Sequence, residues 1–232
     1  MSSPDAPVAL ITGGSAGLGR ALTTALDEQG WTVVTDGRSA ERFAGLAGRI
    51  VAVPGDVIDA GHRERLGAEV ARLGRLDLLV HNASTLGPLP LRPLRDLPAA
   101  GLAEVWRTNV GAPLALTQLL LPVLRRSSGI LLSISSDAAV EHYPTWGVYG
   151  ASKAALDHLT RTLAAEEDLL AYAVDPGDMR TQMQADAFPG EDLADRPLPE
   201  SVVPHLLELL RRRPPAGRYR AADVDLCAPV GA

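Results

Sequence analysis

Apolar positions along this chain follow two rhythms. Short, nearly continuous apolar runs at residues 8–12, 31–35, 50–53, 76–80, 130–134 and 171–174 predict strands buried on both faces. Between them lie longer amphipathic stretches, which predict helices at 17–30, 62–73, 99–126, 149–167 and 202–213, with a short one at 40–46. The stretch 99–126 contains Pro113 and Pro122, and a break or kink is expected at Pro113, where a proline lacks the helical N–H donor. Residues 219–224 suggest an edge strand, 181–199 read as irregular, and the proline-bearing segment 86–98 as a surface loop. Strands alternating with helices imply a parallel sheet covered on both sides. The expected fold is therefore α/β: a single Rossmann-type doubly wound sheet in a three-layer αβα sandwich. No linker interrupts the pattern, so residues 1–232 are expected to form one domain.

Composition narrows the function classes. The 46% apolar and 22% charged residues are ordinary for a soluble globular protein. A net charge of −6 without a basic block argues against nucleic acid. The single cysteine, Cys227, excludes an internal disulfide and suits a reducing compartment, and no Cys/His cluster has metal-ligand spacing. The start lacks the basic region of a signal peptide, and no run is long enough to span a bilayer, so a cytoplasmic protein is expected. The arginine-over-lysine bias and the Ala, Gly, Leu and Pro content suggest a G+C-rich bacterial source.

Two motifs carry chemistry. The first strand runs into Thr12-Gly13-Gly14-Ser15-Ala16-Gly17-Leu18-Gly19. Glycines there allow a sharp turn and a close approach of backbone to ligand, and the helix that follows aims its N-terminal N–H groups at an anion such as a pyrophosphate. The second motif is the only lysine among 22 basic residues, Lys153, four positions after Tyr149. That spacing puts both on one helix face, where an ammonium favours the phenolate and lowers a pKa that starts at about 10.

The GxxxGxG spacing together with Tyr149-Gly-Ala-Ser-Lys153 resembles the short-chain dehydrogenase/reductase family in its classical branch. Asp56-Val57, His81-Asn82-Ala83-Ser84, Asn109-Val110, Ser135-Ser136 and Pro176-Gly177 with Thr181 follow in the family's order over nearly the whole chain. The resemblance implies an oxidoreductase that interconverts a carbonyl and an alcohol on a small molecule. Tyr149 would be the proton donor and acceptor, and Lys153 would lower its pKa and bind the nicotinamide ribose. Ser136 would hold the substrate oxygen, with Ser135 the competing candidate, and Asn109 would hold a water. Cofactor contacts would come from Gly13, Ser15, Gly17, Leu18 and Gly19, from Asp56 and Val57 at the adenine, from Asn82 and Ala83, and from Pro176, Gly177, Met179 and Thr181 at the nicotinamide end. Arg38 stands where NADP-preferring relatives carry an arginine, and Gly37 where NAD enzymes carry a carboxylate. NADP(H) is therefore favoured over NAD(H), although Asp36 is one register slip away and would reverse the choice. Residues 182–199 correspond to the substrate lid, and a homodimer or homotetramer is implied.

Two departures stand out. Ser84 replaces the family's glycine, and His81 its first asparagine. His142 and Trp146 are expected to rim the pocket, the histidine as an ordinary loop residue, and Trp106 to pack. Two other functions stay open: a member of the same fold without net redox change (epimerase, dehydratase or cyclase), and a nucleotide-sensing binding protein.

Overall fold

A computed structural model describes residues 6–226, so Cys227 lies outside them. Its strands are β1 (Val8–Ile11), β2 (Thr32–Gly37), β3 (Ile50–Pro54), β4 (Leu78–His81), β5 (Ile130–Ile134), β6 (Leu170–Asp175) and β7 (Gly217–Arg220). The helices are α1 (Gly17–Glu28), α2 (Ala60–Leu73), α3 (Ala99–Trp106), α4 (Ala112–Arg126), α5 (Gly147–Glu167), α6 (Gln182–Ala187) and α7 (Val203–Arg212). All strand pairs are parallel, in the order β3-β2-β1-β4-β5-β6-β7. The order reverses between β1 and β4, which opens a crevice at the strands' C-terminal ends.

Strand alternation divides the core. Ala9 and Ile11 face one side, with Leu22 and Leu26 of α1 and Leu206 and Leu209 of α7. Val8 and Leu10 face the other, with Leu66 and Val70 of α2, Leu116, Leu120 and Leu124 of α4, and Leu163 of α5. Both sides of the sheet are thus covered, which explains why its strands read as continuous apolar runs. Truncating Leu66, which has no exposed surface, to alanine should cost roughly 2–5 kcal/mol. Helix α2 is bounded by its own sequence: the Asp59 carboxylate accepts from Gly61 N at its start, and Gly74 adopts φ 79° at its end.

The helical stretch 99–126 is not broken at the proline: its backbone stays helical throughout and widens just ahead of Pro113. A π-helical turn, Arg107–Gly111, joins α3 to α4, and Pro113 follows it in the first turn of α4, so the widened turn accommodates a residue that lacks an N–H. Residues 181–199 are less irregular than expected, because Thr181 caps the six-residue helix α6. The 40–46 segment is a 3-10 turn, Ala40–Phe43, and the edge strand runs Gly217–Arg220, earlier than anticipated.

Candidate active site

The crevice is a cleft of about 1030 Å³. Its floor is the glycine-rich turn, locked to the neighbouring strand by Asn82, whose Nδ2 donates to the carbonyls of Thr12 (2.9 Å) and Gly13 (3.2 Å). A Cβ at Gly19 would lie 2.4 Å from that nitrogen, so Gly19 allows helix and strand to close behind the cleft wall rather than lining it. Gly17 starts α1 at φ +52°, and a Cβ there would meet Thr181 at 3.5 Å across the opening. No side chain caps the N-terminus of α1, so its first N–H groups are not satisfied from within the helix by a cap. Gly13, Ser15, Gly17, Leu18, Asn82 and Ala83 line this part of the cleft, and Pro176, Gly177, Met179 and Thr181 line the wall facing it.

At the β2 end, register decides the chemistry. A Cβ on Gly37 would approach the Ser15 hydroxyl at 2.4 Å, so position 37 admits no side chain in this arrangement. Asp36 is not a free carboxylate. Its Oδ1 accepts from Gly13 N at 2.6 Å and its Oδ2 pairs with His62 Nε2 at 3.0 Å. Arg38 and Arg42 are exposed at the cleft and, among the described residues, neither guanidinium is in an ion pair. Asp56 Oδ1 accepts from Ile58 N (3.1 Å), which fixes the turn that presents Asp56 and Val57 to the cleft.

The other end gathers Ser136, Tyr149 and Lys153 in one wall. Gly150 permits this: a Cβ there would lie 2.5 Å from the Ala138 carbonyl, so α5 can press against the turn that carries Ser136. Ser135 and Ser136 divide the work. The Ser135 hydroxyl donates to Asp157 Oδ2 (2.8 Å) and is buried, whereas Ser136 is half-buried and donates to Asp137 Oδ1 (3.0 Å). Arg218 of β7 braces the same place, donating to the Ser136 carbonyl (2.9 Å) and to Asp157 Oδ2 (3.0 Å). Trp146 packs edge-on to Tyr149, ring centroids 5.6 Å apart.

Electrostatics here differ from the reading of the spacing alone. Burial is the largest influence on Tyr149 and raises its pKa, while the hydroxyls of Ser136 and Ser84, which hydrogen-bond the phenol, pull it back. The expected lowering by Lys153 is absent from that balance. The ammonium instead donates to the Ile134 carbonyl at 2.8 Å and lies 5.6 Å from the centre of the phenol ring. Burial pushes Lys153 down to about 8, with the Asp157 carboxylate holding it partly up. His81 is pushed down to about 3 by burial and by the Lys153 charge, so its ring is neutral.

Asn109 stands behind the wall, in the π turn. Its Oδ1 accepts from Thr85 N (2.9 Å) and Ser84 Oγ (3.3 Å), and its Nδ2 donates to Thr85 O and Ser152 Oγ, both at 2.9 Å. With the amide engaged on both sides, its side chain braces the loop after β4 against α5 and has no spare donor for a water. Sequence reasoning also missed Arg42, Arg218 and the tie from Asp36 to His62. Among the described residues no group of three His, Cys, Asp or Glu could hold a metal, and no helix is long and apolar enough to cross a membrane.

Comparison with known proteins gives a consistent picture. The profile of the short chain dehydrogenase family matches residues 7–192. The uncharacterized oxidoreductase YciK of Escherichia coli (strain K12) is 32% identical over 217 residues, covering 88% of this chain and 85% of that one. A rhamnolipid-biosynthesis 3-oxoacyl-[acyl-carrier-protein] reductase of Pseudomonas aeruginosa is 34% identical over 192 residues, 76% of this chain and 74% of the relative. A short chain dehydrogenase of Escherichia coli CFT073, solved with NADPH, superposes with a TM-score of 0.85 at 31% identity, covering 93% of this chain and 96% of that one. One from Shigella flexneri, solved with NADP, gives 0.84 at 30%, over 93% and 97%.

Proposed function

The chain belongs to the short-chain dehydrogenase/reductase family of oxidoreductases, and from that premise we propose that it interconverts a carbonyl and a secondary alcohol with NADP(H), Tyr149 moving the proton. The observation that carries this reading is the convergence of Tyr149, Ser136 and Lys153 at one end of a cleft whose far end presents Arg38 and Arg42.

The residues fit a dinucleotide phosphate. The glycine turn and the uncapped start of α1 suit a pyrophosphate, and two unpaired guanidiniums suit a ribose 2′-phosphate, which they can grip through paired N–H donors. The solved neighbours with NADP and NADPH support the same choice. Asp56 and Val57 would flank the adenine, and residues 176–181 the nicotinamide end. The bound dihydronicotinamide would supply the hydride.

In the reducing direction, Ser136 Oγ donates to the substrate oxygen and orients the carbonyl. Tyr149, its pKa raised by burial, is protonated near neutrality and donates its proton as negative charge develops on that oxygen. The Ser84 hydroxyl stabilises the phenolate left behind, which regains a proton from solvent, while Lys153 would hold the nicotinamide ribose. The oxidation runs through the same groups in reverse. Leu86, Trp146 and Met183 pack around Tyr149, so the substrate we infer has an apolar body beside its carbonyl, with residues 182–199 closing over it.

The test is a panel of ketones, aldehydes and alcohols followed through the absorbance of the reduced nucleotide. The reading expects turnover of at least one apolar member, faster with NADPH than with NADH. Conversion of substrate at constant nucleotide absorbance would instead indicate a reaction without net redox change.

A further inference from the structure

The most fully buried contact between a histidine and a carboxylate among the described residues has no part in the chemistry above. His62 and Asp36 have side chains 0% and 2% exposed, and their Nε2–Oδ2 distance is 3.0 Å. The ring's other nitrogen, Nδ1, faces Arg65 Nη2 at 3.2 Å. A guanidinium only donates, so Nδ1 accepts, Nε2 carries the hydrogen, and the imidazole is the neutral tautomer that donates to Asp36. The other carboxylate oxygen takes Gly13 N at 2.6 Å. A line of hydrogen bonds thus runs from Arg65 at the surface of α2, through His62 and Asp36, to the first glycine of the nucleotide turn. The site is shaped for the ring: a Cβ on Gly55 would lie 2.2 Å from His62 Nδ1.

The location gives this line a consequence. Asp36 is the carboxylate next to Gly37 and two residues before Arg38, at the rim of the cleft. Released there, a carboxylate can accept from a ribose diol and repels a phosphate dianion, which favours NADH over NADPH. Held by two N–H donors and turned under the glycine loop, it does neither. We propose that His62 is a positioning residue for nucleotide selectivity: by donating to Asp36 it ties back this carboxylate and reserves the adenosine end of the cleft for a 2′-phosphate. This deepens the NADP(H) reading and rests on it.

Dissociation constants of NADPH and NADH, measured by fluorescence titration of the full chain, test the proposal without turnover. The wild type should bind NADPH more tightly; equal affinities would remove the NADP(H) reading and the proposal with it. His62→Leu should lower the NADPH-over-NADH preference by about tenfold or more. His62→Gln, which keeps a donor, should stay within about threefold of wild type. The double variant Asp36→Asn/His62→Leu should recover the preference, because no charge is left to tie back. A folded His62→Leu with unchanged preference, or a double variant as unselective as the single, overturns the proposal. Should His62→Leu melt below the assay temperature, Asp36→Asn and the double variant decide: both must keep the wild-type preference, and a fall in either contradicts the proposal.

Discussion

The two ends of the cleft handle buried charge in opposite ways. At the β2 end, Asp36 is buried but matched by two donors, one from the backbone and one from His62. At the α5 end, Lys153 is just as buried but has the Ile134 carbonyl as its hydrogen-bond partner, and its pKa falls to about 8. Tyr149 beside it is raised by the same desolvation. Groups that hold are fully satisfied. Groups proposed to react are left short of partners, at a cost in stability that the rest of the core must offset.

Breaking the reactive end should separate activity from stability. Lys153→Met is expected to lower kcat by about 10²-fold or more, yet to raise the folded state's stability. The sign follows from the shift. The folded pKa lies below the unfolded value of 10.5, so at pH 7 both states carry the proton and the full burial penalty is present. Removing the charge should recover up to roughly 3 kcal/mol there, less what the orphaned Ile134 carbonyl loses. Between pH 8 and 10.5 the unfolded chain holds more protons, the wild type gains stability as pH rises, and the advantage of the variant should shrink. Denaturant melts at pH 7 and pH 10 measure this. A variant less stable than wild type at pH 7 would show that the lysine is satisfied after all.

A smaller effect should come from the contact that brings α5 to the serine turn. Gly150→Val puts a side chain where the Ala138 carbonyl sits, and a drop in kcat of about tenfold or more, with nucleotide affinity nearly unchanged, would show that the reactive end alone depends on it. The mildest change is Ser84→Gly. Losing one hydroxyl from the phenol should reduce kcat by about threefold to tenfold and move the pH dependence of the oxidative direction upward, because that hydroxyl lowers the Tyr149 pKa. A profile shifted downward, or not at all, would remove Ser84 from the account.

The same contrast explains what the sequence made legible. The strands, the glycine turn and the Tyr149–Lys153 spacing are local patterns, and a two-faced parallel sheet follows from apolar runs alone. The π turn at Arg107–Gly111 was not legible, since its Asn109 pairs with Thr85 and Ser152, which only folding brings together. The short helix α6 was hidden in a polar, proline-bearing stretch. The tie between Asp36 and His62 spans 26 residues and no periodicity announces it. The phenol illustrates the limit most clearly: spacing shows that an ammonium shares its helix face, whereas burial, which determines the direction of its pKa, depends on every element packed above it.

The most direct measurement is Tyr149→Phe, with NADPH affinity and single-turnover rate determined on the same sample. The account predicts an NADPH dissociation constant within about threefold of wild type and a rate lowered by about 10²–10⁴-fold, since only the phenolic hydroxyl has been removed from the wall of the cleft. A variant that binds NADPH normally and reduces its substrate at the wild-type rate would contradict it.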